Sequence, residues 1–163
     1  GFLARLEPRY EALRGGRFDA GAWSTRQVTT GREVEVAAGS ALLVGRASGQ
    51  TTLNDNDLIP YFMMPALGSG STLRAFQADR FRDRHSMVMS AEVRWIPANA
   101  VDMAFFYDAG KVTPRRSDFS FKQLKSDFGI GIRFHGLITT PLRVDLAKGN
   151  EGWKLVISGS AVF

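Results

Sequence analysis

Val101-Asp102-Met103-Ala104-Phe105-Phe106-Tyr107-Asp108-Ala109-Gly110 sorts its residues onto two sides. Val101, Met103, Phe105, Tyr107 and Ala109 fall on one; Asp102, Ala104, Phe106, Asp108 and Gly110 fall on the other. A period of two held this long predicts a β-strand with unlike faces, assigned to residues 100–112. The stretch just upstream, 85–97, repeats the pattern. Met87, Met89, Ala91, Val93 and Trp95 oppose Ser86, Ser90, Glu92 and Arg94, and a short turn at Ile96-Pro97-Ala98-Asn99 joins the two strands.

Further upstream, residues 48–84 break the rhythm. Ile59-Pro60-Tyr61-Phe62-Met63-Met64-Pro65 is apolar and bounded by prolines, and Gly68-Ser69-Gly70-Ser71 is flexible. A connection this long is functional or disordered as a rule, and its aromatic and Met content favours a loop that packs on something. Before it, three strands are expected at 2–13, 17–30 and 33–47, with turns at Arg14-Gly15-Gly16-Arg17 and Thr30-Gly31-Arg32.

Downstream, a polar loop at 113–121 leads to a strand at 122–135. There Phe128, Ile130, Ile132 and Phe134 oppose Asp127, Gly129, Gly131, Arg133 and His135. After a turn near 136–140, Leu142, Val144 and Leu146 oppose Arg143, Asp145 and Ala147. Gly149-Asn150-Glu151-Gly152 is a hairpin signal, and the last strand aligns Trp153, Leu155, Ile157, Gly159, Ala161 and Phe163. The sum is about eight antiparallel strands and no convincing helix: an all-β chain.

The totals bound the function. The chain has 163 residues, a net charge of +5 and no cysteine, so neither a disulfide framework nor a thiolate metal site is available. Mean hydropathy is −0.12 and no apolar run reaches about 18 residues, which excludes a transmembrane helix but not a transmembrane barrel. The start, Gly1-Phe2-Leu3-Ala4-Arg5, lacks a signal-peptide layout, as expected of a mature start or a fragment. Basic residues alternate with acidic ones along the strands instead of forming a stripe, which argues against nucleic acid as a partner.

The two faces favour a membrane barrel over a sandwich. Large apolar side chains recur on one face, with aromatics toward strand ends (Trp95, Tyr107, Trp153, Phe163), while charges share the other face with Gly, Ala and Ser. Small residues and charges suit a hydrated lumen; aromatics at the ends of an apolar band suit bilayer interfaces. A lumen face so poor in bulk does not fill an eight-stranded barrel, so the expectation is part of a larger one with partners at both terminal strands.

The ordered motifs carry a resemblance. They are Pro60-Tyr61-Phe62, Leu73-Arg74-Ala75-Phe76, Arg80-Phe81-Arg82-Asp83, Ala91-Glu92-Val93-Arg94, Phe106-x-Asp108-x-Gly110, Gly129-x-Gly131-x-Arg133 and Pro141-Leu142-Arg143-Val144-Asp145-Leu146-Ala147, with a terminal Phe163. The chain resembles the C-terminal half of the barrel in the bacterial surface-antigen superfamily, which includes BamA, TamA and the two-partner-secretion transporters. The resemblance implies a transmembrane antiparallel β-barrel of sixteen strands, with residues 1–163 as its second half and 48–84 as a loop inserted in the lumen. It implies that Arg74 and Phe76 at the loop tip lock onto Phe106, Asp108 and Gly110; Ala75 stands where the family's tip has glycine. Glu92, Arg94, Arg133 and Asp145 would support the lock, and Phe163 would end the sorting signal.

The same resemblance places the protein in the bacterial outer membrane, inserting or secreting polypeptides. The expected partners are lipid and lipopolysaccharide, client polypeptide, the upstream half-barrel and POTRA-type domains. The alternatives are a structural barrel or the membrane anchor of a secreted enzyme such as a patatin-like lipase, or a β-domain with one face in water. No cofactor, metal or catalysis is expected. His85 and His135 lack metal-ligand spacing, Gly68-Ser69-Gly70-Ser71 is not a nucleophile elbow, and Gly110-Lys111 is not a P-loop.

Overall fold

A computed structural model describes residues 17–20, 23–38, 40–53, 59–98, 101–134 and 142–159. Ten strands run in chain order: β1 (Arg17–Ala20), β2 (Trp23–Ala38), β3 (Ala41–Thr52), β4 (Ala66–Leu67), β5 (Phe81–Arg82), β6 (His85–Ala98), β7 (Val101–Thr113), β8 (Lys125–Phe134), β9 (Leu142–Gly149) and β10 (Gly152–Ser158). Eight of them form one sheet in the order β1-β2-β3-β6-β7-β8-β9-β10, and every pairing is antiparallel. β4 and β5 make a separate two-stranded ribbon inside the long loop. The helical content of the described residues is two 3₁₀ turns, Tyr61–Met63 and Arg116–Asp118.

The expected barrel is corrected here. β1 and β10 are the free edges of an open sheet, so the described strands do not close. Alternation along a strand states which residues share a face; it carries no information on closure, which depends on strand number, tilt and stagger. No helix of the described residues is long and apolar enough to cross a membrane.

The register of the early strands also differs from the expectation. Thr30-Gly31-Arg32 predicts a turn, yet β2 runs straight through it and Gly31 pairs with Ser48. Pairing with β3 on both sides of Gly31 holds the glycine within the strand. β3 continues to Thr52, so the loop starts later than residue 48. β6 likewise passes through Pro97 to Ala98; proline cannot donate to the ladder, and the pairing with β7 shifts between Trp95 and Ala98. The strand expected at 2–13, His135, the turn near 136–140 and Phe163 lie outside the described residues.

Register turns the alternation into rows across the sheet. On one face, Leu43, Val93, Phe105, Ile130, Leu146 and Leu155 stand side by side on successive strands. All six are exposed. On the other face, one row reads Ser90, Asp108, Asp127, Gly149, the next Glu92, Phe106, Gly129, Ala147, and a third Arg94, Ala104, Gly131, Asp145. That face is covered, and the largest fully buried side chains include Arg74, Arg133 and Arg143.

The cover is the loop between β3 and β6, which is a built structure. Arg82 donates to the carbonyls of Phe62 (2.8 Å) and Met64 (3.1 Å), holding the 3₁₀ turn. β4 pairs with β5, and Gly68, at φ 103°, turns the chain so that its carbonyl accepts the Asp79 amide at 2.9 Å. Leu67, Leu73, Ala75 and Phe76 then pack with Val88, Phe106 and Ala147 in a small apolar core between loop and sheet.

Candidate functional site: an ion-pair clasp under the loop

Arg74 enters the charged face at the loop tip and is fully buried. Its Nε lies 3.1 Å from Asp108 Oδ2, and its Nη1 lies 2.9 Å from Glu92 Oε2 and 3.4 Å from Asp145 Oδ2. The guanidinium carbon sits 3.9 Å from the centroid of the Phe106 ring. One cation therefore meets carboxylates from three strands, β6, β7 and β9, and an aromatic face. A planar guanidinium can do this; the point charge of a lysine cannot reproduce it.

Three further arginines hold the carboxylates in place. Arg133 Nη2 donates to Glu92 Oε2 at 2.8 Å, and Arg94 Nε to Glu92 Oε1 at 2.7 Å. Arg143 Nε donates to Asp145 Oδ2 at 2.6 Å, while its Nη2 reaches back to the Gly70 carbonyl at 2.8 Å. Arg143 thus ties the loop to β9 on a second line. A third tie comes from Lys154 on β10, whose ammonium donates to the Phe76 carbonyl. Arg80 and Glu151 add an exposed pair at 3.0 Å.

The glycines in the rows make space for this. A Cβ on Gly110 would meet the Met87 carbonyl oxygen at 2.9 Å and Leu67 Cδ1 at 3.0 Å. One on Gly129 would meet the Phe106 ring at 2.5 Å. Without those side chains the loop lies close enough for Arg74 to reach Asp108. Ala75, standing at the tip, does not adopt a positive φ, so its Cβ is unstrained.

Electrostatics separate two groups of carboxyls. Burial raises the affinity of Glu92 for a proton, but Arg133, Arg74 and Arg94 outweigh it and leave its pKa below the usual value. Asp108 goes the other way: burial dominates the pull of Arg74, and its pKa is raised. Asp127, its cross-strand neighbour, is pushed up to about 7 by burial and then by the charge of Asp108. Asp127 Oδ2 accepts the backbone amide of Ala75 at 3.1 Å.

Of the residues singled out in the sequence, Arg74, Phe76, Phe106, Asp108, Gly110, Glu92, Arg94, Arg133 and Asp145 all lie around the loop tip. Asp127, Arg143 and Lys154 were not singled out. The alternation puts Asp127 and Arg143 on the charged face, but only the register shows that Asp127 stands beside Asp108. Among the described residues, no cluster of three or more His, Cys, Asp or Glu side chains is arranged to hold a metal ion. His85 is buried, with its ring edge-on to Phe119.

No family model matches this chain, and no curated protein matches it. With the open sheet, this corrects the resemblance to the surface-antigen superfamily: short motifs agree in order, but the closed barrel that defines those proteins is not formed by these strands. The outer-membrane location rested on the same barrel and is withdrawn with it. So are the insertion or secretion of polypeptides, the structural-barrel and enzyme-anchor alternatives, and lipid, lipopolysaccharide, client polypeptide, half-barrel and POTRA-type domains as partners.

Proposed function

We propose that this chain is a non-catalytic association module, whose apolar sheet face is buried against the flat apolar face of another protein sheet. The observation that carries the reading is the row from Leu43 to Leu155, flanked by rows containing Trp95, Tyr107, Phe128, Trp153 and Ile157, all of them exposed. Single exposed apolar residues are ordinary; a continuous apolar face is an interaction surface. Six strands about 4.8 Å apart and roughly eight residues long present on the order of 700 Å², close to what one partner contributes to a stable interface. A flat sheet face is matched best by another, at the spacing of a β-sandwich. The clasp on the opposite face keeps the sheet rigid for that purpose, and the simplest occupant is a second copy of the chain.

Sedimentation velocity in detergent-free buffer tests this. The wild-type chain is expected to associate with rising concentration, and a Phe105→Ser, Ile130→Ser, Leu155→Ser triple variant to remain monomeric with its fold intact. A wild-type chain that stays monomeric, or that disperses only in detergent micelles, overturns the reading.

A further inference from the structure

Asp108 and Asp127 are direct partners across β7 and β8, buried side by side on the covered face of the sheet. Two carboxyl groups buried next to each other are costly to ionise together, so the pair favours holding one proton. Each also grips the loop tip: Asp108 holds the Arg74 guanidinium and Asp127 the Ala75 amide. We propose that this carboxyl pair is a one-proton latch, docking the loop tip on the sheet while the pair is protonated and releasing it as the proton leaves.

The surroundings support a latch in this direction. From the loop, Arg74 faces the pair, but it is shared with Glu92 of β6 and Asp145 of β9. Arg94 and Arg133 bond Glu92, and Arg143 bonds Asp145. Farther out on the same face, Lys125 lies over the Phe81 ring and Lys154 holds the Phe76 carbonyl. A second negative charge at Asp127 would therefore stand beside Asp108 in a buried row whose nearest guanidinium already serves three carboxylates. Ser90, the other neighbour of Asp108 in that row, is neutral and does not relieve the repulsion. With the tip lifted, water reaches Asp127, which then ionises as an ordinary carboxyl group does, near 3.8.

The sign follows from linkage. The docked state keeps one proton more than the released state between about pH 4 and the folded value of about 7. Over that window release becomes about tenfold easier per pH unit, and above it the dependence levels off.

Amide hydrogen exchange over residues 73–76 of the full chain, corrected for intrinsic rates, reads the latch. Protection is expected to fall about tenfold per unit from pH 5 to 7 and to flatten by pH 8. In Asp127→Asn the side-chain oxygen still accepts the Ala75 amide and no charge can form beside Asp108, so protection is expected to stay high and independent of pH. A wild-type profile already flat across pH 5–8, or an unchanged slope in Asp127→Asn, overturns the latch. Should that variant fail to fold, ¹³C carboxyl titration of the wild-type chain decides: one Asp carboxyl titrating near 7 supports it, and all of them titrating below 5 overturns it.

Discussion

Phe105 and Phe106 are adjacent in sequence and differ more than any change of residue type could make them. Phe105 is 56% exposed on the open apolar face; Phe106 is 4% exposed beneath the Arg74 guanidinium. The contrast extends to the two faces of the whole sheet. One buries arginines, aspartates and a glutamate under a folded loop, and the other leaves its phenylalanines, isoleucines and tryptophans uncovered. Burial therefore does not follow hydrophobicity here. The arginines can be buried because they pair with Glu92, Asp108 and Asp145, and that pairing holds the loop; the apolar face is uncovered because no part of the described chain lies over it.

The sharpest way to break the contrast is to remove the cation. Arg74→Ala removes the cation shared by Glu92, Asp108 and Asp145, leaves Asp108 buried without one, and is expected to cost about 3–5 kcal/mol of unfolding free energy by chemical denaturation. Arg74→Lys should restore only part of this, since an ammonium cannot span three carboxylates. Arg74→Ala combined with Asp108→Ala should cost less than the sum of the two, and full additivity would mean that the pair at 3.1 Å is not coupled.

The two phenylalanines form the next test. Phe106→Ala should cost about 3–5 kcal/mol, because the ring fills the space between Gly129 and the guanidinium. Phe105→Ala, measured at concentrations below those at which chains associate, should stay within about 0.5 kcal/mol. Equal effects from both would mean that the faces are not distinct.

The pH dependence of stability separates the carboxyls of the buried face. Glu92, held below its ordinary 4.5, contributes stability that is present above that value and lost as the solution turns more acid. Asp127, raised from 3.8 to about 7, contributes stability that is full below 3.8 and declines as the pH rises to about 7. Chemical denaturation from pH 3 to 9 should thus give an optimum on the acid side of neutrality. Asp127→Asn should remove the decline toward neutral pH and leave the acid limb. The smallest effect is reserved for the rim, where Arg80→Ala breaks an exposed pair with Glu151 and should change stability by about 0.2–1 kcal/mol, less at high salt.

Much of the sheet was legible in the residues. The alternation in 85–97 and 100–112 located β6 and β7 and sorted their faces, because in a strand each residue's side is dictated by its parity. Glycine and proline do not end the strands at Gly31 and Pro97: Gly31 is held in line by its pairing with Ser48, and β6 passes Pro97 through a shift in register. The clasp was named from a family pattern at Arg74 and Asp108. Asp127 and Lys154 stayed hidden because their roles depend on which residue lies opposite and where the loop comes down.

Parity along the chain was thus enough to determine that one face of this protein is charged and the other greasy. Whether the strands close, which face is covered, and which carboxyl stands beside which were decided by register and by the path of the loop. Those depend on contacts between residues far apart in the chain, and no local pattern encodes them.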